Sequence, residues 1–356
     1  MRSHGKNDDG KNDGQFARRM LVAALAAASM LAAPAARAQS AEWSMSVWIA
    51  PNAPFVQNGM LGWARQVEEA TGKRVAVKLL PKAVASAPGH LDAVRDGLAD
   101  VTFIVHGFTP GRFVLTKAAE LPFFGDNAVQ TSVAYNRIHN AMLAKADEHK
   151  GVKVLSVFTH GPGALFSTKR PIATLADLKG MKMRTGGGVV NDLGNAFGVA
   201  GLMKPPSDVY EMLSTGVADG TFFARESILT FKLAPLVRHA LFVPGGVYNT
   251  SFALIMNEAA FAKISPADQQ AVMRVSGDAF ARLAGLSFED SDMKGLELLK
   301  QAGTQVTNAN AALTEDLRRA TLPVFDAWIK EASAKGVDGR AALEALRAEV
   351  RKVPAK

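Results

Sequence analysis

The chain has 356 residues, 48% of them hydrophobic and 21% charged, with no cysteine and a net charge of +8. That length suits about two domains of ~150 residues, and the missing thiols exclude disulfides, zinc–thiolate sites, iron–sulfur clusters and cysteine nucleophiles. Beyond the N-terminal segment no apolar run is long enough to cross a bilayer, which excludes a multi-pass membrane protein, and the scattered basic residues give nucleic acid no continuous footprint.

Residues 1–38 read as a signal peptide. Arg18 and Arg19 precede the Ala-rich run Met20–Ala33 and the sequence Ala36-Arg37-Ala38, the charged, apolar, small-residue order of an export signal. Cleavage after Ala38 would remove six basic and three acidic residues and leave a chain of charge +5. The expected location is the periplasm, where a cysteine-free chain folds without oxidation.

The mature chain then alternates strand and helix signals. Ser44–Ile49, Val75–Leu80 and Val101–Val105 read as strands, separated by helical patterns over 60–70 and 91–98. Such spacing predicts βαβ units and a mostly parallel sheet, hence an α/β fold. Further strands are expected at 152–159, 182–185 and 252–256, with helices at 190–197 and 208–214. From Pro266, apolar residues recur at intervals of three, four and seven as far as Leu299. That pattern predicts one helix of about 36 residues, ~54 Å long, enough to bridge two lobes. Amphipathic helices at 314–335 and 338–352 complete the chain.

In an open parallel sheet, ligands bind beyond the carboxyl ends of the strands. Arg184 sits at such an end, before Gly186-Gly187-Gly188 and a helix. A guanidinium fork and a helix start together describe an anion clamp; a structural arginine paired with Asp192 or Glu226 is the alternative. His106 and His160 each follow a strand and precede glycine, as donors to a bound anion or as satisfied buried histidines. Neither has metal-ligand spacing, and no nucleophile elbow is present, so no metal or cofactor is expected. Phe166, Phe222 and Phe223, with Phe108, could floor a ligand site or simply pack the core. Glu226 and Asn249 complete the candidate contacts.

Several strings carry a resemblance: Pro51-x-Ala-Pro54, Val67-Glu68-x-x-Thr71-Gly72-Lys73, Glu120-Leu-Pro-Phe-Phe124, Asp177-Leu-Lys-Gly-x-Lys-x-Arg184 and Asp208-Val-Tyr-Glu-Met-Leu213. The mature chain resembles the solute receptors of tripartite ATP-independent periplasmic (TRAP) transporters. The resemblance implies two α/β lobes around a cleft, a long helix spanning both, and Arg184 pairing with a ligand carboxylate. Two positions depart from the common pattern. Thr221-Phe222-Phe223 follows Asp219-Gly220, and Ala164 stands where some members carry a second arginine. A more apolar pocket and a small or aromatic monocarboxylate are therefore expected.

The resulting expectation is a monomeric, non-enzymatic receptor for a small carboxylate, serving the membrane subunits of a TRAP permease, with no nucleic-acid partner. A periplasmic enzyme acting through His106 or His160, or a sensing module for a kinase, are the alternatives. The expected layout is discontinuous: lobe one from 39–161 plus 250–285, lobe two from 162–249 plus 286–356, with crossings near 161–163 and 244–246.

Overall fold

The computed structural model describes residues 1–2 and 40–355, so residues 3–38 of the expected signal peptide lie outside the described residues. The strands, in chain order, are β1 (Ala41–Met45), β2 (Val75–Leu79), β3 (Val101–Val105), β4 (Lys153–Thr159), β5 (Gly163–Ser167) and β6 (Lys182–Thr185). They continue as β7 (Ala200–Met203), β8 (Gly220–Ala224), β9 (His239–Phe242), β10 (Ser251–Met256) and β11 (Gln305–Asn308). They form two sheets, ordered β2-β1-β3-β10-β4 and β11-β9-β5-β8-β6-β7. The fold is α/β with two lobes.

Both sheets are mixed rather than mostly parallel. In the first, β2, β1 and β3 run parallel, while β10 is antiparallel to β3 and β4. The reason is the route of the chain. It leaves the first sheet at the end of β4, builds most of the second, and re-enters at the same end through β10, which must therefore run the other way. In the second sheet β5, antiparallel to β8 and β9, is the corresponding entry strand.

The opening strand ends earlier than its hydrophobic pattern suggests, at Met45 rather than Ile49. Trp48 and Ile49 thus lie beyond the strand, where Trp48 Nε1 donates to the Phe103 carbonyl at 3.1 Å.

The expected single helix is broken into Pro266–Arg274 and Gly277–Gln301. The Ser276 hydroxyl donates to the Val272 carbonyl and accepts from Trp63 Nε1, and Gly277 adopts φ +52°. A serine bonding back four residues, followed by a left-handed glycine, interrupts the ladder. The 25-residue second segment, about 37 Å long, still bridges the sheets. Phe288 stacks on Phe55 at 4.6 Å on the first-sheet side. One turn on, Asp292 Oδ1 accepts the Glu226 N–H at 2.7 Å beside the second.

Candidate functional site: a cavity between the two sheets

The cavity lies where strand ends from both sheets meet, and its volume is about 80 Å³. Trp48, Ile49, Phe103, Val105, Phe108 and Phe252 wall it from the first sheet. Arg184, Gly186, Gly187 and Phe223, with Glu226, Ser227, Thr230 and Phe231, wall it from the second. Phe288 of the long helix and the crossing residues His160, Tyr248 and Thr250 close it. Two larger grooves along the C-terminal helices, about 320 and 250 Å³, lie away from these strand ends.

Arg184 is 3% exposed, and burial lowers its guanidinium to about 10. It forms no ion pair with Asp192 or Glu226. Its Nε and Nη2 both donate to the Lys204 carbonyl, at 2.9 and 2.8 Å. That anchors one edge of the fork. The Nη1–Nη2 edge has two parallel N–H groups and no protein acceptor at Nη1 among the described residues, the arrangement that matches a carboxylate. The plane lies over the Phe223 ring, 4.5 Å from its centroid, a stacking that fixes the fork's orientation. An arginine this buried without an acidic partner is costly to keep.

Glu226 contributes a second polar group to the same wall. Its two carboxylate oxygens accept from Ser227 Oγ at 2.7 Å and Thr230 Oγ1 at 2.8 Å, while burial raises its pKa. Beneath it, burial and the nearby Glu226 carboxyl push Asp292 up to about 8.

His160 reaches the cavity as a neutral ring, since burial lowers it to about 4. Its Nδ1 meets the Gly161 carbonyl and its Nε2 the Thr250 hydroxyl at 2.9 Å. Asn249 stands behind it: with its amide oriented to donate, it reaches the His160 carbonyl at 2.9 Å.

The structure thus brings Arg184, His160, Phe223 and Glu226 to one cavity, while His106, Phe166, Phe222 and Asn249 are not among its walls. Strand geometry separates the phenylalanines. Successive residues of a strand face opposite ways, so Phe223 meets the cavity while Phe222 packs behind, stacked on Phe197. Phe166 shares Phe223's face but lies deeper, edge-on to Phe242. His106 turns away, toward Ser251 and His149. Burial lowers it to about 3, so it carries no charge toward the cavity.

Sequence reasoning missed Trp48, Phe103, Phe252 and Phe288. Trp48 was hidden by the overlong first strand, and the inward strand residues were legible only as core. Phe288 comes from a helix remote in sequence, and no local pattern points it at the site.

A family model described as bacterial extracellular solute-binding protein, family 7 (DctP), matches residues 46–331. The chain is 31% identical over 336 residues to the outer membrane transporter protein TsaT of Comamonas testosteroni, covering 94% of this chain and 98% of that one. A TRAP periplasmic solute-binding protein from Bordetella bronchiseptica, solved with (R)- and (S)-mandelate, superposes with a TM-score of 0.85 at 44% identity, over 88% of this chain and 99% of that one. A TRAP solute-binding protein from Rhodoferax ferrireducens, solved with copurified benzoate, gives 0.81 at 27% identity, over 87% and 98%. The family match takes in every strand of both sheets except β1, the arginine-bearing strand included, and the chain belongs to the family 7 bacterial extracellular solute-binding proteins, the periplasmic receptors of TRAP transporters.

Proposed function

We propose that this receptor captures an aromatic monocarboxylate between its two sheets and delivers it to the membrane subunits of a TRAP permease. The observation that carries this reading is the unpartnered edge of Arg184 inside a cavity walled by aromatic rings. One buried guanidinium fork satisfies one carboxylate, and the rings of Phe103, Phe108, Phe223, Phe252 and Phe288 offer a flat, apolar bed for an aryl group. Ala164, opposite Phe223 in the β5–β8 ladder, supplies no second cation for a dicarboxylate. Relatives solved with mandelate, benzoate and 3-hydroxybenzoate support the same ligand class.

The reading is capture without catalysis. Both ring nitrogens of His160 are engaged, and its neutral form has no free site to act as a base. Lobe one is placed at 39–161 plus 250–285 and lobe two at 162–249 plus 286–356, in a monomer. The strands of each sheet falling within one of these sets support that division.

Calorimetry of the purified mature protein with mandelate, benzoate, 3-hydroxybenzoate, their amides, succinate and galacturonate tests the reading. The aryl acids should bind, the amides should be inert, and the dicarboxylate and sugar acid should be weak. A ligand at 100 times its dissociation constant adds about 2.7 kcal/mol of stability, so melting shifts give an independent check. Amides binding as well as acids, or galacturonate binding best, would remove the aryl-carboxylate assignment.

A further inference from the structure

Glu120 is a carboxylate 3% exposed, with no cationic partner among the described residues. It ends a turn between β3 and β4, on the first-sheet side. Its Oε1 accepts from the Ser251 hydroxyl at 2.6 Å. Its Oε2 crosses to the second-sheet side and accepts the backbone N–H of Val189 at 2.9 Å. Val189 opens the helix Val189–Ala196, directly after the glycine loop whose Gly186 and Gly187 wall the cavity.

The glycines on this seam leave no room for side chains. Gly188 has φ +78°, and a methyl group there would overlap the Glu120 carboxylate. A methyl on Gly187 would overlap the Gly107 carbonyl, and one on Gly107 would lie 2.7 Å from the Gly187 carbonyl carbon. So the end of β3 and the loop after β6 meet backbone to backbone, with Glu120 behind them.

Behind Glu120 runs a chain of hydrogen bonds with a single consistent direction. His149 Nε2 lies 2.8 Å from His106 Nε2, and His106 Nδ1 lies 3.1 Å from Ser251 Oγ. With both histidines neutral, His149 donates to His106, His106 donates to Ser251, and Ser251 donates to Glu120. The donors converge on one carboxylate, which leaves Oε2 an acceptor aimed at the other sheet.

We propose that Glu120 is a positioning residue that latches the two sheets together, holding the Gly186–Gly188 wall and the adjoining Arg184 strand against the Gly107 turn, and so slows ligand escape without touching ligand. The proposal rests on the capture reading above for its ligand but not for its geometry.

The test uses Glu120→Ala, Glu120→Gln and Gly187→Ala in the mature chain. Because the protein has no cysteine, Leu98→Cys and Val217→Cys, both exposed and in the loops that lead into β3 and β8, strands of opposite sheets, accept spin labels specifically. Label distances are measured with and without mandelate, beside calorimetry, stopped-flow dissociation and the ligand-free melting temperature. Glu120→Ala should bind about tenfold more weakly, the size of one charge-assisted bond at a helix start, mainly through faster dissociation. Glu120→Gln, which keeps an acceptor for Val189, should recover part of the loss. Gly187→Ala should keep its ligand-free melting temperature yet show longer label distances than wild type. A Glu120→Ala chain that fails to fold leaves Gly187→Ala to decide. Wild-type distances and affinity in Gly187→Ala, or a lower melting temperature with unchanged affinity in Glu120→Ala, would overturn the latch. Absence of mandelate binding by the wild type would instead count against the ligand class, and the latch would then be judged on the ligand-free distances alone.

Discussion

The two walls of the cavity are built from different chemistry. The first sheet presents Trp48, Phe103, Phe108 and Phe252, rings with few polar atoms; the second presents Arg184, Glu226, Ser227 and Thr230 around Phe223. One wall gives shape and the other gives charge. The first is an extension of the main core: Phe103 packs edge-on against Phe55 at 5.1 Å, and Phe252 stacks on Phe158 at 5.1 Å. The second holds a buried guanidinium with one edge free of protein acceptors among the described residues and a buried carboxyl whose pKa burial raises. On the proposed reading, selection for a carboxylate and selection for a ring should therefore be separable by mutation.

The largest effect should come from the charged wall. Truncating one partner of a buried, hydrogen-bonded ion pair costs about 2–5 kcal/mol, or roughly 30- to several-thousand-fold in affinity. Arg184→Ala should fall at the upper end. Arg184→Lys should fall at the lower end, since lysine keeps the charge but loses the fork. Calorimetry with circular dichroism as the folding control measures both, and near-wild-type affinity in folded Arg184→Ala would reduce Arg184 to a structural residue.

The next effect concerns the ionisation beneath that wall. Asp292, raised to about 8, keeps a proton in the folded chain that the unfolded chain releases near pH 4. Its contribution to stability is thus present below about 4 and falls as pH rises toward 8, by at most ~1.4 kcal/mol per unit. Asp292→Asn keeps an acceptor for the Glu226 N–H and cannot ionise. Its melting temperature should gain on the wild type steadily between pH 5 and 8.5; a constant difference across that range would show that Asp292 is ionised throughout.

A smaller effect belongs to the aromatic wall. Phe108 is half-buried and meets Trp48 edge-on at 6.0 Å. An aromatic pair adds about 0.5–1.5 kcal/mol beyond its area, so Phe108→Leu should weaken aryl acids by roughly tenfold or less. It should also reorder them by ring substituent while leaving the acid–amide discrimination intact. Loss of that discrimination in Phe108→Leu would mean that the two walls are not separable.

The smallest change is a control away from the cavity. Lys169, 60% exposed, pairs with Asp219, and an exposed pair is worth under about 1 kcal/mol. Lys169→Ala should leave ligand affinity unchanged by calorimetry; a measurable loss would show that charge acts on the ligand at long range.

The charged wall was more legible in sequence than the aromatic one. Arg184 stood out because a strand end followed by three glycines is an unusual place for a buried cation, and the string Asp177-Leu-Lys-Gly-x-Lys-x-Arg184 tied it to a family. The α/β class and most strands followed from hydrophobic alternation. The aromatic wall did not, because Phe103 and Phe252 look the same whether they face a core or a cavity. The break at Ser276-Gly277 was invisible to periodicity, since apolar spacing continues across it while the backbone does not. His106 misled for a related reason: a histidine after a strand resembles a ligand donor, and only the partners Ser251 and His149 show that it faces the other way. The mixed sheets depended on where the chain re-enters, a property of the whole path and not of any segment.

The central claim is that Arg184 recognises the carboxylate of the ligand, and a thermodynamic cycle tests it most directly. Calorimetry would compare the best-binding aryl acid with its amide, in the wild type and in Arg184→Ala. The account predicts that replacing the acid by the amide costs the wild type about as much as Arg184→Ala costs the acid, and that the replacement costs Arg184→Ala almost nothing. An equal acid-to-amide penalty in both proteins would contradict it and place carboxylate recognition elsewhere in the cavity.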